Sequence, residues 1–214
     1  MLAVLRTGAA YLPLDPDYPT ARLRFMLEDS CCGLIVTDGS PGCRDFCEGR
    51  REIDVAAARG DASPPIDVAT DGCGSSHDAP AYVLSTSGST GQPKGAIGLH
   101  RGAVNRCDWM WRAFGFGPDA VFCLRTSVNF VDSVWEIFGA LAHGIPLAIV
   151  PAGSARDPVA LADFISRHRV THLVLGPGLL GAMLEAGSPP GTLASVVTSG
   201  EPLVPELWSA VRRA

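Results

Sequence analysis

The chain has 214 residues, 47% of them hydrophobic and 18% charged, enough apolar material for a sizeable core and the wrong composition for a disordered, collagenous or coiled-coil protein. Its net charge is -5, and its seventeen basic side chains never run longer than two in succession, so no basic stripe is available to neutralise a nucleic-acid backbone. Seven cysteines, at positions 31, 32, 43, 47, 73, 107 and 123, are odd in number and lack paired CxxC spacing, which excludes a zinc ribbon and predicts free thiols in a reducing cytosol. No stretch approaches the roughly 18 apolar residues of a membrane span. Arg6 follows the first apolar residues instead of preceding them, the reverse of a secretory leader. A cytoplasmic protein without membrane contact is expected.

Met1 to Thr7 reads as the last turns of a helix closed by Gly8, so the front is expected to be missing. YLPLDPDYP, Tyr11 to Pro19, has too many prolines to continue it and predicts an ordered loop. Thr20 is placed to cap a helix over Ala21 to Ser30, with Leu23, Met26 and Leu27 as its apolar stripe. A short strand is expected at Gly33 to Thr37, and residues 38 to 79 have the composition of a surface connection. His77 there reads as merely solvated.

From residue 80 apolar strands at Ala81 to Leu84, Val121 to Leu124, Leu147 to Val150, His172 to Leu175 and Leu193 to Thr198 alternate with helical stretches near 102–114, 133–142, 158–168, 178–186 and 203–213. That alternation predicts an α/β fold, with mostly parallel sheets and helices on both faces. Ligands of such sheets lie at the carboxyl ends of the strands. The last helix runs to Ala214 without a closing element, and a cut is expected there too.

The densest signal follows the first of these strands. Ser85-Thr86-Ser87-Gly88-Ser89-Thr90-Gly91-Gln92-Pro93-Lys94-Gly95 combines three glycines, whose backbone N–H groups can approach an anion, with adjacent hydroxyls and the one lysine of the chain. It is not an ordinary P-loop, because Lys94 stands between Pro93 and Gly95. A flexible turn has the same composition; the upstream strand, the rigid Pro93 and Lys94 favour a polyphosphate ligand.

AYVLSTSGSTGQPKG, residues 81–95, resembles the phosphate-loop signature of the adenylate-forming superfamily, departing from the amino-acid branch at Ser85, where Tyr is frequent. LRTGAAYLPLDPDYP, residues 5–19, resembles the early signature of nonribosomal peptide synthetase amino-acid adenylation domains. Together they make the chain resemble part of the large N-terminal domain of such an enzyme, with 1–214 a partial AMP-binding domain. The resemblance implies that Thr86, Ser87, Gly88, Ser89, Thr90, Gly91 and Lys94 hold the phosphates of ATP, Thr86 and Lys94 acting in catalysis. Gly200 and Glu201, in the turn Ser199-Gly200-Glu201-Pro202, are implied at the adenylate, though a plain turn with Pro202 opening the next helix reads equally well.

NFVDSVWEIFGAL, Asn129 to Leu141, reads as a strand exit and a helix capped by Ser133, with Glu136 completing a capping box. Asp132 would then merely satisfy the helix dipole and Phe138 pack in the core. By resemblance to the Phe-Asp-x-Ser segment of the family, Phe130, Val131, Asp132, Trp135, Val174, Val197 and Ser199 line the substrate pocket. Val131 stands where the family's Asp pairs with an α-ammonium, and the carboxylate comes one residue later at Asp132. An amine displaced from its carboxyl suits that placement, since a buried unpaired charge costs several kcal/mol, and the pattern resembles domains that activate β-alanine. Trp135 would shorten the pocket for a small substrate.

The implied reaction is ATP-dependent formation of an aminoacyl-AMP with release of pyrophosphate, then transfer to a phosphopantetheine thiol on a peptidyl carrier domain. Mg2+ is implied with ATP, although no metal ligand is assigned within these residues. The Tyr-Gly-Pro-Thr-Glu segment, the ribose-binding Asp, the C-terminal lid domain and the carrier domain are not among the 214 residues, so the chain alone is expected to be inactive. An acyl-CoA ligase fragment and a non-catalytic remnant are the alternatives. No histidine pair has zinc-protease spacing, and no GxSxG elbow supports a serine hydrolase.

Overall fold

A computed structural model describes residues 1–39, 44–47, 49–58, 76–87, 93–187 and 190–213. It divides into two compact units, 1–103 and 104–214.

The first unit opens with α1 (Leu2–Arg6), ended by Gly8 at φ 79°, a left-handed turn that glycine adopts without penalty. Helix α2 (Thr20–Asp29) starts one residue earlier than expected: Pro19 is its cap and Thr20 its first helical residue, with no side-chain cap bond. Leu23, Met26 and Leu27 are buried, and Leu23 and Leu27 form a core with Ile35, Phe46 and Cys47. Strand β1 (Leu34–Thr37) pairs in parallel with β2 (Arg51–Asp54). The 38–79 connection is therefore partly structured, with α3 (Arg44–Cys47) before β2 and α4 (Val55–Ala58) after it. Their brevity leaves too few residues for a readable period.

The second correction concerns the phosphate segment. Strand β3 (Pro80–Ser87) is longer than the expected Ala81 to Leu84, and pairs antiparallel with an unforeseen strand, β4 (Pro93–Leu99). PKGAIGL carries three residues that disfavour strands, so its composition conceals it. The hairpin is thus separate from the parallel sheet. Tyr11 adds a short parallel bridge to its edge, its N–H donating to Ala81 O and its carbonyl accepting from Val83 N. Gly98 lies beneath the Tyr82 ring, where a Cβ would overlap the aromatic carbons. The division between the units falls within α5 (His100–Phe114).

The second unit is built on a four-stranded parallel sheet of order β6-β5-β7-β8, formed by β5 (Phe122–Leu124), β6 (Leu147–Ile149), β7 (His172–Leu175) and β8 (Ser195–Thr198). Between β5 and β6 run the single turn α6 (Asp132–Val134) and a π-helical turn over Trp135–Gly139. Helix α7 (Pro158–Arg167) is capped by Asp157, whose carboxylate accepts from Val159 N and Ala160 N at 2.9 and 3.1 Å, with Pro158 at the first helical position, as such caps require. Helices α8 (Pro177–Ala186) and α9 (Pro205–Val211) follow β7 and β8. Pro205, not Pro202, opens α9, which begins two residues after the expected start at 203.

Alternation along the strands sorts the core into two layers. Cys123, Leu173 and Leu175 pack with Leu161, Phe164 and Ile165 of α7 and Leu180 and Met183 of α8. Phe122 and Val174 point the other way, into a core with Met110 of α5, Trp135 and Ala140. Helices cover both faces, as the sequence predicts. Trp111 is half-buried and stacks on His143, whereas Trp109 is exposed, as two helical residues only two positions apart cannot share a face.

Candidate active site

In the first unit, Thr86 and Lys94 are paired residues across β3 and β4, and the Thr86 hydroxyl donates to Lys94 O at 3.3 Å. Both are exposed. Ser87 ends β3. Gly88, Ser89, Thr90 and Gly91 lie outside the described residues, as do Cys43 and Cys73.

In the second unit, β5 ends at Leu124 and Asp132 opens α6. The capping box expected here does not form. Val131 occupies the cap position, and the Ser133 hydroxyl donates back to Phe130 O at 2.7 Å. Glu136 instead turns inward and is 1% exposed. Its carboxylate accepts from Thr126 N at 3.0 Å and from the Thr126 hydroxyl at 2.9 Å. The neighbouring Arg125 guanidinium donates to Val174 O and Ala155 O at 3.3 and 3.2 Å. Burial lifts the Glu136 carboxyl from its ordinary 4.5 to about 7, against the opposing pull of the Thr126 bonds and Arg125. Burial also pushes the nearby Cys123 thiol up to about 12, which leaves it protonated and inert at neutral pH, and pushes His172 down.

Asp132 is half-buried and accepts a very short hydrogen bond from the Ser199 hydroxyl, at the exit of β8. Among the described residues no Lys, Arg or His forms an ion pair with it. Trp135, Val174 and Val197 meet around one cleft, with Glu136, Cys123 and His172 also on its walls. The sheet explains their meeting, because Val174 and Val197 are directly paired across β7 and β8.

Five of the expected pocket residues are thus gathered at two places, Asp132 with Ser199 and Trp135 with Val174 and Val197. The remaining two are not: Phe130 and Val131 are 61% and 59% exposed, at the turn before α6. Gly200, at φ 86°, and Glu201 form an exposed turn before α9. Phe138 is half-buried against the Met110 core, as expected of a core residue. Glu136 lines the same cleft and Gly139 lies against Trp135, and neither is among the expected site residues. The signal for them is the run Trp-Glu-x-x-Gly, in which a glycine four places after a tryptophan lies on the same helical face.

The whole of residues 1–214 matches the family described as AMP-binding enzyme. The chain belongs to that family. A plipastatin synthase polypeptide from Bacillus subtilis is 39% identical over 97% of this AMP-binding chain and 8% of its own length. The beta-alanyl-bioamine nonribosomal peptide synthetase ebony of Drosophila melanogaster is 30% identical over 98% of the chain and 25% of its own length. A solved structure of the nonribosomal peptide synthetase FmoA3 bound to alpha-methyl-L-serine-AMP superimposes with a TM-score of 0.84 at 28% identity, over 98% of the chain and 24% of that protein. The chain spans about 8% of the length of each of the three plipastatin synthase polypeptides it matches. Among the described residues no helix is long and apolar enough to cross a membrane.

Proposed function

We propose that these residues form part of an amino-acid adenylation domain that activates a small β-amino acid, β-alanine above all, at the expense of ATP. In this reaction a carboxylate oxygen of the amino acid attacks the α-phosphorus of ATP. The bond between the α-phosphorus and its bridging oxygen breaks, and pyrophosphate departs with the electron pair. A phosphopantetheine thiolate on a peptidyl carrier domain then attacks the acyl carbon and expels AMP.

The observation that carries the reading is the Asp132 carboxylate, held by Ser199 and unpaired with any described cation, in the unit that also gathers Trp135, Val174 and Val197. A fixed carboxylate is a receptor for one ammonium group, and the apolar and aromatic side chains of the same unit suit a short substrate. The Ser199 hydroxyl orients the carboxylate without neutralising it. Family membership supports the nucleotide half: the exposed ammonium of Lys94 and hydroxyl of Thr86 are a fitting pair for a polyphosphate. Among the described residues no group of three His, Cys, Asp or Glu side chains is placed to hold a metal ion.

The test is amino-acid-dependent pyrophosphate exchange by the native protein that contains these residues. β-Alanine should be used at least about tenfold better than L-alanine, and Asp132→Asn should lower β-alanine exchange by about a hundredfold, the range for removing one partner of a buried charge pair. Equal use of the two alanines would sink the assignment.

A further inference from the structure

The Trp135 indole is 3% exposed and lies flat across Gly139, four residues along the π-helical turn. A Cβ at position 139 would overlap Cε3 and Cζ3 of the indole and reach within 3.1 Å of Cδ2. The ring also packs against Phe116 and Phe122, with centroids 5.6 and 5.3 Å away. The backbone beneath it is fixed as well. The Gly139 carbonyl is hydrogen-bonded by His143 Nδ1 at 3.1 Å, and the His143 ring stacks on Trp111 at 3.6 Å and 7°. Ala140, the next residue, is fully buried. If a side chain were added at 139, the anchored backbone would hold and the indole would have to move.

Trp135 shares its cleft with Val174 and Val197, so the indole is one of the walls of that cleft. We infer that Gly139 is a specificity-setting positioning residue: by leaving room for the indole against the helix it sets the depth of the acyl pocket, and a side chain there drives Trp135 away from the helix. The pocket assignment rests on the function proposed above. The contact between Trp135 and Gly139 stands without it. Gly139 touches no substrate, and its effect passes entirely through Trp135.

A double-mutant cycle in the native protein separates this role from a general packing defect. Gly139→Ala should raise the KM for β-alanine by about tenfold, the scale on which pockets discriminate single methylenes, and should change the near-ultraviolet circular dichroism of the tryptophans while the far-ultraviolet spectrum is kept. In a Trp135→Leu background, with no indole to displace, the same Gly139→Ala change should alter neither KM nor thermal midpoint. Should Gly139→Ala alone fail to fold, recovery of folding in the double variant supports the inference, and failure of both overturns it. An equal penalty in both backgrounds, or an unchanged near-ultraviolet spectrum in the single variant, also overturns it. If the unaltered protein shows no amino-acid-dependent exchange, the adenylation reading fails, and the spectra and midpoints still decide whether Gly139 positions the indole.

Discussion

In the β3–β4 hairpin the candidate ligand groups stand in the open, Thr86 and Lys94 on facing strands with their side chains exposed. In the segment from Arg125 to Gly139 the polar groups are drawn inward: Glu136 is 1% exposed and spends both carboxylate oxygens on Thr126. The hairpin carries the denser sequence motif and exposes Thr86 and Lys94; the second segment carries a looser motif and buries Ser133, Val134, Trp135 and Glu136. An exposed ligand group can be altered without disturbing the fold, whereas a buried one reports on stability first. Substitutions in the two regions should therefore fail in different assays.

The largest effect is expected at Glu136. Its folded-state pKa is raised from 4.5 to about 7, so the folded chain holds the proton more tightly than the unfolded chain. The stability this supplies is complete below about pH 4.5 and is lost as the pH rises to 7 and beyond, a change on the order of 3 kcal/mol for a shift of this size. Glu136→Gln has no proton to lose. Measured by urea unfolding at pH 5 and pH 8, the unaltered protein should lose about that much more stability over the interval than the variant does. Equal losses in the two would show that Glu136 is ionised throughout.

Lys94 should behave in the opposite way. Its exposed side chain forms no ion pair among the described residues, so Lys94→Ala should shift unfolding by less than about 0.5 kcal/mol. Under the proposed function it should lower pyrophosphate exchange by about a hundredfold, the typical cost of removing one group that stabilises developing charge. A Lys94→Ala protein with normal exchange would remove the hairpin from the chemistry.

These contrasts follow how the two regions could be read from sequence. The four parallel strands of the second unit and helices α5, α7 and α8 were legible because each is an apolar run or a periodic stripe bounded by Gly or Pro. Strand β4 was not, since Pro93, Gly95 and Gly98 make PKGAIGL look like a turn, and only its pairing with β3 makes it a strand. At the candidate site, Asp132 and Trp135 are expected from the family resemblance alone. Glu136 was misread because Ser-x-x-Glu before an apolar run is a valid capping signal, and nothing local reveals that Thr126, ten residues upstream, competes for the same carboxylate. Trp135, Val174 and Val197 are brought together by sheet order, which no local pattern encodes.

The smallest effect separates two glycines within the hairpin itself. A Cβ at Gly98 would overlap the Tyr82 ring, whereas a Cβ at Gly95 would come only to 3.1 Å from Val83 Cγ1 and 3.7 Å from the Asp29 carboxylate. Replacing glycine by alanine in a strand gains roughly 0.5–1 kcal/mol from the unfolded state, while overpacking costs about 1–3 kcal/mol. At Gly95 the close contact is the methyl of a side chain that needs to shift by only tenths of an ångström, so the two terms nearly cancel. At Gly98 the ring must swing away from the strand, and a net loss of about 1 kcal/mol remains. Urea midpoints of Gly95→Ala and Gly98→Ala should differ in that order, and shortening Tyr82 to Leu should abolish the Gly98→Ala penalty. A penalty that persists without the ring would mean that Gly98 is required by the backbone of β4 and not by the side chain lying across it.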